Sequence, residues 1–449
     1  MSSASLKKEP PRASNLTVTT SCFPGASSSA VRAARQWTMR GSLLWLAIIF
    51  SSGIAQGQLP GQPTPSPTPV PGFPKIVNQL IDFSQKISKD EGFRFVGGSV
   101  APGSGLTGGV GYNKKFVGHR FTPIVGGSAR ASIKKYWEFD TNVQSNDSQK
   151  IGPEIEDKLQ MNFYGVIKDM PRLDFFGIGP NSREQDRAVY HYREAAVGFD
   201  IKRPLTTVLD IGGGIEGVFP RIITITNPTI RSVERVYSET TAPGISSQPH
   251  FLHLGAFAEL HSKGQLERRK LIYKFFFHVY HEGRNDQYSF RRFDADLTNK
   301  FPLDRDGKNE FRVRGRLSFS DTSPGQRVPF YLMQTLGGSN IRSVETLRGF
   351  RDYRFRDRNL ILLQLEYLRN LKGPLDFIAF YDNGKVASAV DSFDVGRWRH
   401  TYGLGFVFVQ RPIEDVSFRF YLAFGSGEGS RTYVGMADPL GGRGSLVIR

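Results

Sequence analysis

Cysteine is all but missing from this chain: Cys22 is the only one in 449 residues. A lone thiol excludes an internal disulfide framework and a Cys-rich metal centre. Long apolar runs are missing too. The run Leu43–Phe50 is far short of the ~20 residues a membrane-crossing helix needs, which excludes a bundle of such helices. Acidic residues are in deficit, 42 against 59 Lys and Arg, leaving a formal net charge of +17. That imbalance points to acidic partners, either nucleic acid or anionic lipid headgroups. Gly (48), Phe (35) and Tyr (16) are plentiful, while hydrophobic residues make up only 39%. The mixture suits a β-rich protein whose strands each have one apolar face.

Residues 1–57 read as an N-terminal extension and a cleaved secretion signal. Residues 1–38 are rich in Ser, Ala and Arg without periodicity, and Met39 is an alternative start. Arg40 supplies a positive flank, Leu43–Phe50 the short apolar core, and Gly53-Ile54-Ala55 or Ala55-Gln56-Gly57 a small-residue cleavage site. Export is the implication, with cleavage expected between about Ala55 and Gln58. Residues 58–91 form a second segment. "QLPGQPTPSPTPVPGFP" is a Pro-rich, extended linker. It leads into a short amphipathic helix over Lys75–Asp90 with Ile76, Leu80, Phe83 and Ile87 on one face, either a cap or plug or a mobile segment.

From residue 92 to 449 the period is two, and this is the third segment. In "NEFRVRGRLSFS", Phe311, Val313, Gly315, Leu317 and Phe319 point one way, and Arg312, Arg314 and Arg316 the other. Three arginines cannot enter a dry core, so that face meets bulk water or a wet lumen. "LIYKFFFHVY" and "VSFRFYLAF" alternate likewise, with aromatic-rich apolar faces. Strands are expected near 93–100, 105–113, 124–133, 135–145, 158–168, 187–199, 205–217, 250–262, 268–280, 287–299, 309–320, 359–369, 375–383, 400–410, 415–425 and 430–436. Tight turns at "DIKRP", "KGQLE", "NLKGP" and "RPIE" alternate with long loops at 169–186, 218–249, 321–358 and 384–399. Short turns at one end and long loops at the other characterise an outer-membrane barrel. The fold class is therefore all-β: one transmembrane antiparallel barrel of about sixteen strands, with a long loop inserted in its lumen.

Motifs suggestive of chemistry dissolve on inspection. Gly212, Gly214 and Gly217 have dinucleotide-loop spacing, but the β-branched, Pro-interrupted "VFPRIITITNPTI" follows where a helix should start. They read as strand glycines in a curved wall. "DRDGKNE", Asp304–Glu310, lacks the acidic positions of a calcium loop and reads as a turn. His253, His261, His278 and His281 have no carboxylate at ligand spacing and read as solvated lumen or rim residues. No nucleophile elbow is present. The basic residues alternate along strands and form no nucleic-acid-reading stripe. The expectation is a protein with no catalytic residue, no cofactor, no metal and no nucleic-acid partner.

The most unusual stretch is "TLRGFRDYRFRDRN", Thr346–Asn359, a charge cluster abutting the apolar Leu360–Leu363. Its "LRGF", with Arg348, Gly349 and Phe350, resembles the lumen-loop motif of BamA/TamA-type outer-membrane barrels, the bacterial surface antigen superfamily. "FYDNG", with Phe380, Asp382 and Gly384, resembles that family's F-x-D-x-G partner. "DFFGIGPNS", "GGSVAPGSGLTGGVGY" and "FRFYLAFGSGEGSRTYVGM" are similar as well, so the resemblance covers about residues 93–436. It implies a loop folded back into the lumen with its arginine on the inner wall. It also implies an outer-membrane location and work on unfolded or secreted polypeptides in membrane insertion or transport, without covalent catalysis. Outer-membrane lipid, including anionic headgroups, is the other expected partner. The family's periplasmic polypeptide-transport domains are not expected here, since about 35 residues separate signal from first strand, too few for a domain. The chain also runs on past Tyr433 and Met436, where such barrels usually end on an aromatic residue. The alternative is a passive channel or structural surface barrel.

The alternation itself specifies the lock. Ile361, Leu363, Leu365 and Tyr367 facing out turn Gln364 and Glu366 inward, and Leu375, Phe377, Ala379 and Tyr381 facing out turn Phe380 and Asp382 inward. Arg348 is expected to pair with Asp382 and Glu366, with Phe350 packed near Phe380.

Overall fold

The computed structural model describes residues 91–116, 122–150, 156–262, 270–394, 396–409 and 417–435. The expected signal, linker and short helix, the "KGQLE" and "RPIE" turns and the C-terminal tail lie outside these residues. The first eleven strands are β1 (Gly92–Gly98), β2 (Thr107–Lys115), β3 (Thr122–Ser132), β4 (Trp137–Lys150), β5 (Glu156–Phe175), β6 (Ala188–Pro204), β7 (Leu209–Ile223), β8 (Phe251–His261), β9 (Lys270–Glu282), β10 (Phe290–Pro302) and β11 (Asn309–Asp321). Two three-residue strands follow, β12 (Gln334–Leu336) and β13 (Phe355–Asp357). The last five are β14 (Asn359–Lys372), β15 (Leu375–Ala387), β16 (Arg399–Val409), β17 (Ser417–Gly425) and β18 (Gly429–Gly435).

Sixteen of these make one antiparallel sheet in chain order, β1 to β11 and then β14 to β18, while β12 and β13 pair with each other. Each strand expected from the alternation is in the sheet, with the ends moving most at β5, β6 and β7. "DIKRP" is not a turn: it ends β6, and the turn is the next segment, 205–208. β5 also runs on through what was expected to be loop. It tolerates Pro171, which has no N–H to donate, because the register with β6 slips between Met170 and Leu173.

Alternation sorts the two faces. Phe139, Phe163, Phe199, Ile215, Phe277, Phe293, Leu404 and Phe420 stand exposed on the outer face. So wide an apolar belt needs hydrocarbon around it, as in membrane-spanning barrels. The arginines of β11 face inward, where Arg314 meets Asp296 through Nε–Oδ1 (2.8 Å) and Nη2–Oδ2 (2.5 Å) contacts. That strand face therefore lines the lumen.

The sheet curls round its own loops. Arg399 at the start of β16 donates to the Pro180 carbonyl in the β5–β6 loop (2.8 Å), and Arg431 of β18 reaches Glu184 of the same loop (3.4 Å). Among the described residues, no ladder joins β1 to β18. The apolar core is not between two sheets but inside the loop end of the barrel. Met170, Leu173, Phe175, Tyr190 and Tyr192 from the wall pack there on Phe330, Tyr331 and Tyr353 of the long β11–β14 connection.

Candidate functional site

The connection from 322 to 358 is folded into the lumen. Its β12–β13 hairpin, which the alternation did not reveal, carries a tight fold at Gly337-Gly338, both at positive φ (108° and 46°). A Cβ on Gly337 would lie 2.5 Å from the Arg351 carbonyl oxygen, so only glycine fits. Thr346 ties this fold to the arginine segment: its Oγ1 accepts from the Gly337 N–H (2.9 Å) and its N–H donates to the Gly338 carbonyl (2.8 Å).

Arg348 follows, with no exposed side-chain surface. Its Nε donates to Asp382 Oδ2 (2.9 Å) and its Nη2 to Asp382 Oδ1 (2.5 Å), a two-toothed grip, while Nη1 donates to Glu366. The guanidinium plane covers the Phe380 ring at 3.7 Å from its centroid, with Tyr421 on another side at 5.7 Å. Burial alone would pull the guanidinium down, but Asp382 and Glu366 outweigh it and hold it well above its ordinary value. Gln364, opposite Asp382 in the register, donates to the Thr346 carbonyl (2.9 Å).

Of the residues singled out from the sequence, the structure brings Arg348, Glu366, Phe380 and Asp382 into one contact. Gly349 lies against the wall, where a Cβ would sit 2.5 Å from the backbone nitrogen of Gly425. Gly384 leaves room for Leu336 of the hairpin, whose Cδ1 would be 3.0 Å from an added Cβ. Phe350 departs from expectation. Its ring partner is Phe355 (5.2 Å, interplanar 71°), in a cluster with Leu336, Leu347, Leu360, Leu362 and Val386. The guanidinium takes the face of Phe380, and Tyr421 meets that ring edge-on.

Sequence reasoning missed Arg419, Tyr421 and Glu345. Arg419 Nη1 lies 3.6 Å from Glu366 Oε1, and Tyr421 donates to Glu345 Oε2 (2.7 Å). Burial pushes the Glu345 carboxyl up. The signal was available, because an outward-facing Phe420 and Leu422 turn residues 419 and 421 inward. Arg354 was missed as well; it donates to the Ser182 carbonyl (2.8 Å) and to Glu428 (2.6 Å), spanning the β5–β6 and β17–β18 connections.

The histidines require a correction. His253 and His278 are buried, not solvated, because strand register supplies carboxylates that linear spacing hides. Glu216 lies directly opposite His253 and bonds its Nδ1 (2.8 Å), His253 Nε2 meets His278 Nδ1 (2.9 Å), and His278 Nε2 approaches Asp294 (3.4 Å). Among the described residues no cluster has metal-holding geometry.

No family model and no curated protein matches the chain. Solved structures do. BamA from Haemophilus ducreyi lacking POTRA domains 1–3 superposes with a TM-score of 0.54 at 14% identity, over 77% of this chain and 70% of that one. The barrel has the BamA fold. CdiB from Acinetobacter baumannii (TM-score 0.45, 14% identity, 73% of this chain and 55% of that one) and CdiB from Escherichia coli (0.46, 14%, 76% and 61%) are weaker matches. In this BamA-type barrel, the lumen arginine and its two carboxylates are the best-defined buried polar centre. Its geometry can hold the loop against the inner wall.

Proposed function

We propose that this protein is an outer-membrane barrel that handles polypeptides, in membrane insertion or transport, with the 322–358 loop as its internal plug and strut. The long loops would then face the exterior and the short turns the periplasm. The observation that carries the reading is Arg348, clamped by Asp382 and Glu366 inside a BamA-type barrel. A plug fixed by a fully sequestered ion pair is a poor design for a passive solute channel, since the loop fills the lumen such a channel needs. Strand capture at a sheet edge gives polypeptide handling a physical basis, and β1 and β18 are the edges of this sheet.

Depletion followed by a quantitative outer-membrane proteome tests this. Loss of many other barrels or of secreted polypeptides supports it. An unchanged proteome with impaired small-solute uptake would replace it with the passive-channel reading.

A further inference from the structure

On the outer face, one register row runs straight across four strands: Trp137 on β4, Asp169 on β5, Arg193 on β6 and Arg221 on β7. The next outward row toward the turn end is Phe139, Ile167, Ala195 and Phe219, then Thr141, Gly165, Val197 and Gly217, then Val143, Phe163, Phe199 and Ile215. None of these twelve is charged, eight are large apolar side chains, and Phe139, Ile167 and Phe219 of the nearest row are all exposed. The change from apolar to charged is therefore abrupt, and it marks where hydrocarbon gives way to headgroups at the loop end.

The charges in that row do not balance. Arg193 and Arg221 are directly opposite across the β6–β7 ladder, an unfavourable pairing of like charges. Arg193 has a partner in Asp169 (Nε–Oδ1, 2.7 Å) and lies over the Trp137 ring at 5.8 Å. That same Asp169 oxygen also meets His191 Nε2 (3.0 Å). Arg221 is exposed, and among the described residues it has no carboxylate partner. One carboxylate thus serves Arg193 and a histidine, and Arg221 beside them has none, at the height where a bilayer presents its phosphates.

We propose that Arg193 and Arg221, flanked by Trp137, form a docking site for the phosphate of an outer-leaflet phosphorylated lipid. A guanidinium fork fits phosphate oxygens with two hydrogen bonds, and an anion between the two arginines relieves their repulsion. Trp137 is placed as an interfacial anchor beside the lipid's glycerol or sugar. The lipid's chains would lie along Phe139, Ile167 and Phe219. This rests on the membrane reading above and adds a ligand class and a place to it.

The test is native mass spectrometry of the delipidated full-length barrel in detergent, titrated with a bisphosphorylated glycolipid, with phosphatidylcholine, or with inorganic phosphate at equal phosphate concentration. The expected result is retention of the glycolipid alone. Arg221→Gln should weaken it about fivefold, and Arg193→Gln with Arg221→Gln by more than tenfold. Arg291→Gln, an exposed arginine on distant β10, should change it less than twofold, on the order of an ordinary surface substitution. Equal weakening by Arg291→Gln, equal retention of phosphatidylcholine, or binding of free phosphate alone would overturn the site. Reconstitution in vesicles separates the two readings: a barrel that inserts yet shows no arginine dependence loses the site alone, and one that fails to insert loses the membrane reading.

Discussion

At Arg348 a guanidinium with no exposed surface faces two carboxylates that are equally sequestered, so removing any one of the three strands a charge without solvent. Breaking such a pair costs ~3–5 kcal/mol, less where water can enter. Arg348→Ala and Asp382→Ala should each lower the melting temperature, and the double variant should be little worse than either, measured as a double-mutant cycle. Strictly additive losses would return the loop to solvent. Asp352 offers a pH test of the same loop. Burial pushes its carboxyl up to about 6, against the Ser339 N–H that donates to it (2.8 Å). A carboxyl raised in the folded state contributes stability at low pH that is lost as the pH rises through that value. Asp352→Asn should therefore raise the melting temperature most at pH 7.5, less at pH 5, and hardly at all below about pH 4, where the carboxyl is protonated in folded and unfolded chains alike. The reverse order would contradict the burial. His253 and His278 share one hydrogen bond, which needs one bare ring nitrogen. Glu216 and Asp294 flank the pair, the Tyr280 ring stacks on His253 at 4.1 Å, and Arg292 of β10 lies over Tyr280.

The elements differ in how much of them the sequence discloses. Wall strands were legible because each side chain has only two destinations, hydrocarbon or lumen, and the period-two pattern records the choice. That is why the alternation alone assigns Glu366 and Asp382 to the lumen. Loops have no such code. The β12–β13 hairpin is three residues per strand and depends on Gly337, Gly338 and Thr346 closing on themselves, which no periodicity announces. The Phe350 contact failed for the same reason: the loop's own Phe355 outcompeted the wall's Phe380. The buried histidine pair failed because its carboxylates come from other strands through register. At this scale Gly349 is the sharpest probe. Gly349→Ala puts a Cβ 2.5 Å from the Gly425 nitrogen, changing no charge. It should lower the folding stability by ~1–3 kcal/mol, as overpacking does elsewhere, and expose the 322–358 loop to protease. A protease-resistant variant with wild-type stability would mean that the loop does not sit against β17.

For the whole molecule, a belt of exposed aromatics outside, paired charges inside and a loop end packed with apolar side chains divide one sheet among three environments. In the proposed reading the ion-paired loop plugs the barrel, and the proposal for polypeptide handling depends on that plug. Its most direct test is single-channel conductance in planar bilayers, comparing wild type with Arg348→Ala. Wild type should show a small, mostly closed conductance. In the variant, frequent openings several-fold larger should appear as the loop leaves the wall. A wild-type barrel with a large, steady conductance that Arg348→Ala does not change would contradict it.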